Sequence, residues 1–176
     1  SRKRAAAARQ IQFLVDTPQR VMEMRKLARG QKLRLRVNLE IDVGLHRGGM
    51  EPGAELGKVL DALATTPDLD LTGLMGYEPH LSKIPNLASW RNRARKGAAA
   101  VYMAARAQLA ARYTPEEIGK MTFNMAGSST FGLYTSTASA NEISAGSALV
   151  KPSDFELPIL KAFQPAAFIA TPALKV

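Results

Sequence analysis

The chain has 176 residues, 46% hydrophobic and 22% charged, which excludes a disordered or collagen-like polymer and suits a single domain. It contains no cysteine, so disulfide scaffolds, thiolate metal centres and a cysteine nucleophile are excluded, and a reducing, cytoplasmic setting is expected. Of the net charge of +9, the whole excess lies in residues 1–36, where eleven basic residues face two acids; beyond them thirteen basic residues balance thirteen acids.

That basic end could meet nucleic acid or an anionic surface. Its bases are scattered along helical stretches without interleaved aromatics, a pattern of solvated helix faces. No apolar run reaches the roughly eighteen residues that a membrane-spanning helix needs. The chain opens on Ser1 with a basic stretch, and its start is read as a cut edge rather than a signal peptide.

In chain order, Ala5–Gln10 reads as a helix end and Ile11–Val15 as a buried strand. Asp16, Thr17 and Pro18 form a helix start, and Val21, Met22, Met24 and Leu27 carry the helix to a stop near Gly30. A strand over 33–43 alternates Leu33, Leu35, Val37, Leu39 and Ile41, and a glycine-rich turn covers 44–50. Glu51 and Pro52 open a helix with the apolar face Leu56, Val59, Leu60 and Leu63. A strand over 68–75 and a loop over 76–86 precede a long helix to about Arg112, and Thr114–Glu117 is a capped short helix. Strands are expected over 121–125 and 141–150. Four prolines between 152 and 172 then mark a linker, with a strand over 167–170.

Strands alternating with helices predict a parallel α/β sheet, open or closed into a barrel, whose functional rim lies at the strand C-ends. Residues 126–130 (AGSST) could form an anion-binding turn, if a helix starts there, or an ordinary capped turn. Ser144, Gly146 and Ser147 make a second small-residue patch after the next strand, which raises the case for a phosphate. Arg47 could donate to an oxyanion, Tyr77 could stack on a flat ring, and His80 could shuttle a proton; each also reads as an ordinary loop residue. No metal-ligand cluster stands out: His46 and His80 have only Asp42 and Glu78 nearby, and Asp42 could instead brace Arg47.

Four segments in order, NLEIDVGLHRGGM (38–50), LTGLMGYEPHL (71–81), NMAGSSTF (124–131) and NEISAGSALV (141–150), resemble the fold-type III pyridoxal-phosphate enzymes. The resemblance is nearest to the D-threonine aldolase and D-serine dehydratase branch, with alanine racemase more distant. It implies a partial (β/α)8 TIM-type barrel, about strands 4 to 8, over residues 1–150, and the start of a C-terminal β domain over 151–176. It implies pyridoxal phosphate as cofactor. Arg47 would meet the cofactor's phenolic oxygen and Tyr77 its ring. Ser128, Ser129, Thr130, Gly146 and Ser147 would meet its phosphate, and Ser144 would stand where alanine racemase has an arginine at the pyridine nitrogen. Catalytic roles fall to His80 and Tyr77, although Glu78 and Pro79 differ from the branch's usual Tyr-His-Gly-His. The Schiff-base lysine and the ligands of a divalent metal are expected in parts of the family's proteins that this chain lacks.

The expected activity is therefore that of a lyase acting on D-3-hydroxy amino acids, from a homodimer when full length, with this chain alone inactive. The alternatives are an amino-acid racemase or epimerase, and a non-catalytic phosphate-ligand or nucleic-acid-binding module.

Overall fold

The computed structural model describes residues 10–84 and 88–168. Five strands, β1 (Gln12–Val15), β2 (Leu35–Ile41), β3 (Leu69–Gly76), β4 (Thr122–Met125) and β5 (Glu142–Ile143), form one sheet in sequential order, every neighbouring pair parallel. The helices between them are α1 (Pro18–Gln31), α2 (Ala54–Ala64), α3 (Ala88–Leu109) and the short α4 (Pro115–Gly119). The alternation expected from the sequence is thus present as a parallel sheet with flanking helices. No described helix is long and apolar enough to cross a membrane.

Local signals place the helix ends. Thr17 caps α1 by accepting the Arg20 N–H at 3.2 Å, with Pro18 in the first turn, where its missing N–H costs nothing. Thr114 and Glu117 form a reciprocal capping box: the Thr114 hydroxyl accepts the Glu117 N–H, and the Glu117 carboxylate accepts the Thr114 N–H at 2.7 Å. Helix α1 ends at Gln31, next to the stop expected near Gly30, and the left-handed residue that closes it is Lys32 (φ 52°).

The sheet has two chemically different faces. In β2, Val37, Leu39 and Ile41 are buried in the core with Leu56, Val59, Leu60 and Leu63 of α2, the four residues whose spacing marked that helix's apolar face. Side chains alternate along a strand, so Asn38 and Glu40 point the other way. Register aligns Leu14, Asn38 and Gly73 in one layer of that second face, and Glu40, Met75, Asn124 and Glu142 in the next. Polar bonds link it: Asn38 donates to Gln12, and Asn124 donates to Glu142 and Ser144, both at 2.9 Å.

Long helix α3 is pinned to the sheet and to α2. The buried Tyr102 hydroxyl donates to the Leu74 carbonyl at 2.8 Å. Arg112, just beyond α3, makes a two-pronged pair with Asp61 of α2 at 2.7 and 3.2 Å. Part of the basic end is paired as well: Arg29 meets Asp68 at 2.6 Å and Arg34 meets Asp70 at 3.0 Å.

Two expectations need correction. The fifth strand does not run over 141–150; it is two residues long, and 147–149 is a 3-10 turn. Ser144 to Ser147 are small residues with little strand preference, and the Ala148 N–H is taken by the Ser128 hydroxyl instead of a ladder carbonyl. After Val150 the chain folds back in 3-10 turns, with Leu160 buried and the Phe163 ring edge-on to Phe131 at 6.0 Å. Of the strand expected over 167–170, Ala167 and Phe168 have no regular structure and the rest lies outside the described residues. So does the expected helix end over 5–10, apart from the helical Gln10.

Candidate functional site

Because all five strands are parallel, the loops that follow them share one edge of the sheet. The loops after β2 and β3 meet there through Arg47 and Tyr77: the guanidinium carbon lies 4.9 Å from the ring centroid. Arg47 also donates to Glu40 at 3.3 Å. Glu40, not Asp42, therefore braces this arginine.

The Tyr77 ring reaches the loop after β4. A Cβ added at Gly127 would sit well inside contact distance of the ring's Cε2, so only glycine lets the ring and this backbone approach. The residue before it, Ala126, is buried and left-handed (φ 66°). The loops after β4 and β5 touch in turn, because the buried Ser128 hydroxyl accepts the Ala148 N–H at 3.0 Å. Four consecutive rim loops are thus chained through Arg47, Tyr77, Gly127, Ser128 and Ala148.

The two small-residue patches offer donors without helix dipoles, since each is followed only by a three-residue 3-10 turn. Among the described residues nothing accepts from the N–H groups of Ser128, Ser129, Gly146 or Ser147. Ser129 is half-buried, and Gly146 and Ser147 are exposed. Thr130 differs from its neighbours. It is fully buried, its Oγ1 accepts the Gly127 N–H at 3.0 Å, and its hydroxyl donates to Glu78 at 3.0 Å. Ser144 is exposed and accepts from Asn124.

His80 sits elsewhere on the rim. It lines a cleft of about 480 Å³ with Asp42, Gly44, His46, Glu51 and residues of α3 including Ala98. Among the described residues, neither Arg47, Tyr77 nor the 126–130 turn lines that cleft. Burial pushes the His80 imidazole down from its ordinary pKa, the Asp42 charge offsets part of this, and His46 adds to the lowering.

In the same cleft, Asp42, His46 and Glu51 bring one possible ligand atom each within 4.8 Å of the others, a grouping that sequence spacing did not reveal. The Asp42 carboxylate accepts the Gly44 and His46 N–H groups at 2.9 and 3.0 Å and contacts His46 Nδ1 at 2.8 Å. Burial raises the Asp42 pKa, but these hydrogen bonds and the His46 charge outweigh it and leave the carboxyl below its ordinary range.

The sequence marks Glu78 only as a carboxylate near the histidines and as a departure from the family's motif. It follows the rim tyrosine, yet it is fully buried, with Oε2 accepting the Ala126 N–H at 3.3 Å and Oε1 accepting the Thr130 hydroxyl. An acidic residue between Tyr77 and Pro79, just past an apolar strand, was the available signal, but spacing alone did not tell a loop carboxylate from a buried one.

These features define an α/β protein with a parallel sheet whose candidate site residues gather at the strand C-ends. The chain belongs to the family described as alanine racemase, N-terminal domain, whose model matches residues 1–154. No curated protein matches it. Among solved structures, D-threonine aldolase from Filomicrobium marinum is similar with a TM-score of 0.72 and 22% identity, over 92% of this chain and 44% of that one. Alanine racemase from Streptomyces coelicolor A3(2) is similar with a TM-score of 0.63 and 20% identity, over 81% of this chain and 35% of that one. Alanine racemase from Streptomyces lavendulae has the same TM-score and identity, over 92% and 41%. At these identities the likeness is one of fold, and the chain spans less than half the length of each structure.

Proposed function

We propose that this chain is the cofactor-holding part of a pyridoxal-phosphate-dependent amino-acid enzyme, its sheet forming part of a (β/α)8 barrel, and that the whole protein is a homodimeric amino-acid racemase or epimerase. The observation that carries the reading is the chain of rim contacts from Arg47 through Tyr77 and Gly127 to Ser128 and Ala148. The residues suit the group. A ring-bearing phosphate ester needs a cation for its phenolic oxygen, an aromatic face for its ring and uncommitted N–H and hydroxyl donors for its phosphate. Arg47, Tyr77 and the serines of the two turns are of those types. When bound, pyridoxal phosphate supplies an electron sink for the pair left when a bond at an amino acid's Cα breaks.

The chain's own residues hold and orient. In this reading Ser128, Ser129, Gly146 and Ser147 anchor the phosphate, and Arg47, steadied by Glu40, stabilises the phenolate. Tyr77 limits tilting of the ring, and Gly127 keeps its place open. Thr130 acts from behind the turn, because its hydroxyl is already committed to Glu78.

The racemase reading takes its weight from the family to which the chain belongs. One observation favours the second reading, a metal-assisted lyase of D-3-hydroxy amino acids. Ser144, whose resemblance-derived position is that of the racemase arginine, carries a neutral hydroxyl bonded to Asn124, so no positive charge stands there for the pyridine nitrogen.

Titration of the intact protein with pyridoxal phosphate, followed by absorbance, tests the class. Saturable binding that weakens in Arg47→Ala and Ser129→Ala is expected, and its absence would sink the reading. Exchange of the Cα hydrogen of alanine with deuterium, with loss of optical purity, would mark the racemase. Release of glycine and an aldehyde from D-threonine would mark the lyase.

A further inference from the structure

Glu78 is the one fully buried charged residue among those described, and its two oxygens are spent on a single loop. It takes the Ala126 N–H and the Thr130 hydroxyl, and the Thr130 oxygen takes the Gly127 N–H. The N–H groups of Thr130 and Phe131 both close on the Gly127 carbonyl, at 3.0 and 2.9 Å. Every backbone donor from 126 to 131 is thereby turned into the protein except those of Ser128 and Ser129. The arrangement also holds Ala126 left-handed, a conformation unfavourable for a residue with a Cβ, so the loop depends on these contacts to keep it.

We propose that Glu78 is the positioning residue of an anion-binding turn: by drawing Ala126 and Thr130 inward it selects the one loop shape that leaves the Ser128 and Ser129 N–H groups for a phosphate monoester. The proposal rests on the reading of 126–130 as a phosphate subsite. Its electrostatics are consistent. Burial raises the Glu78 pKa against the opposing pull of the hydrogen bonds from Thr130 and Ala126, a shift that lessens the negative charge behind the turn rather than adding to it. The other ionisable groups whose charges couple to this region are Tyr134, and Tyr102 and Arg95 of α3.

Three variants of the intact protein test it: Glu78→Gln, Glu78→Ala and Thr130→Val. A glutamine can keep both contacts, its amide oxygen on the Ala126 N–H and its amide nitrogen donating to the Thr130 oxygen. The measurements are dissociation constants for inorganic phosphate, pyridoxal phosphate and pyridoxal, the last lacking the phosphate. Amide exchange at Ala126 and Gly127 is read alongside. Glu78→Ala is expected to weaken phosphate and pyridoxal phosphate by about tenfold or more while pyridoxal changes little, with Glu78→Gln restoring binding to within about threefold.

Parent-like phosphate binding by a folded Glu78→Ala protein would overturn the proposal, as would equal losses for pyridoxal phosphate and pyridoxal. If Glu78→Ala does not fold, Thr130→Val, which removes only the bridging hydroxyl, is judged by the same comparison. A parent protein that binds neither phosphate nor pyridoxal phosphate overturns the cofactor reading and the anion role together. The hold on the loop is then decided separately: exchange protection at Ala126 and Gly127 that is lost in Glu78→Ala and kept in Glu78→Gln supports it, and unchanged protection rejects it.

Discussion

Arg47 lies over the face of Tyr77, its guanidinium carbon 4.9 Å from the ring centroid, and so joins two rim loops that come from different strands. At an exposed site such a contact contributes about 0.5–1 kcal/mol. Glu40 accepts from the same guanidinium at 3.3 Å, and Gly127 makes room for the ring. A double-mutant cycle of Arg47→Ala and Tyr77→Ala, read by urea denaturation, is expected to show a coupling of about 0.5–1 kcal/mol. Tyr77→Phe keeps the ring and is expected to keep the coupling. Strictly additive losses would show that the two side chains do not hold each other.

Gly73 is required by the strand beside it. A Cβ there would overlap the Thr122 carbonyl oxygen and lie 2.6 Å from Asn38 Oδ1. The obstacle is backbone and cannot swing away, so β3 and β4 would have to part. Gly73→Ala is expected to destabilise the fold by about 2–3 kcal/mol, visible as a lowered urea midpoint. A parent-like midpoint would mean that the two strands are not packed this closely.

Ser128 supplies the acceptor for the Ala148 N–H, and Ala148 is itself buried. Ser128→Ala leaves that donor without its partner, at a cost of about 1–3 kcal/mol. Faster amide exchange at Ala148 is expected to accompany the loss. Unchanged exchange there would show that water replaces the hydroxyl at no cost.

Glu78 and His80 tie stability to pH with slopes of opposite sign. Burial holds the folded Glu78 pKa above its ordinary 4.5, so folded protein keeps a proton that unfolded chain releases. Its contribution is present below pH 4.5 and is lost as pH rises through the native value, a slope that Glu78→Gln should remove. Burial holds the folded His80 pKa below 6.5, so its contribution is present above pH 6.5 and is lost as pH falls through the native value. His80→Asn should flatten that acid-side loss. Urea midpoints across pH for the parent and both variants check each sign, and a variant curve parallel to the parent's would reject the corresponding assignment.

The alternation of strands and helices, the Thr17 start of α1, the capping box at Thr114 and Glu117, and the buried face of α2 were all legible in the sequence. These features depend on residues at most four positions apart, whose spacing backbone geometry dictates directly. Arg47, Tyr77 and Ser128 were also marked as candidates by their place after strand ends, and the structure chains their loops together. What they bond to was not legible. Arg47 takes Glu40 and not Asp42, Thr130 turns inward, Ala148 lends its N–H to Ser128 at the cost of a longer β5, and Glu78, 48 residues from Ala126, is buried on that loop. Those choices are made between segments distant in the chain, and only strand register and loop curvature decide which donors and acceptors come within reach.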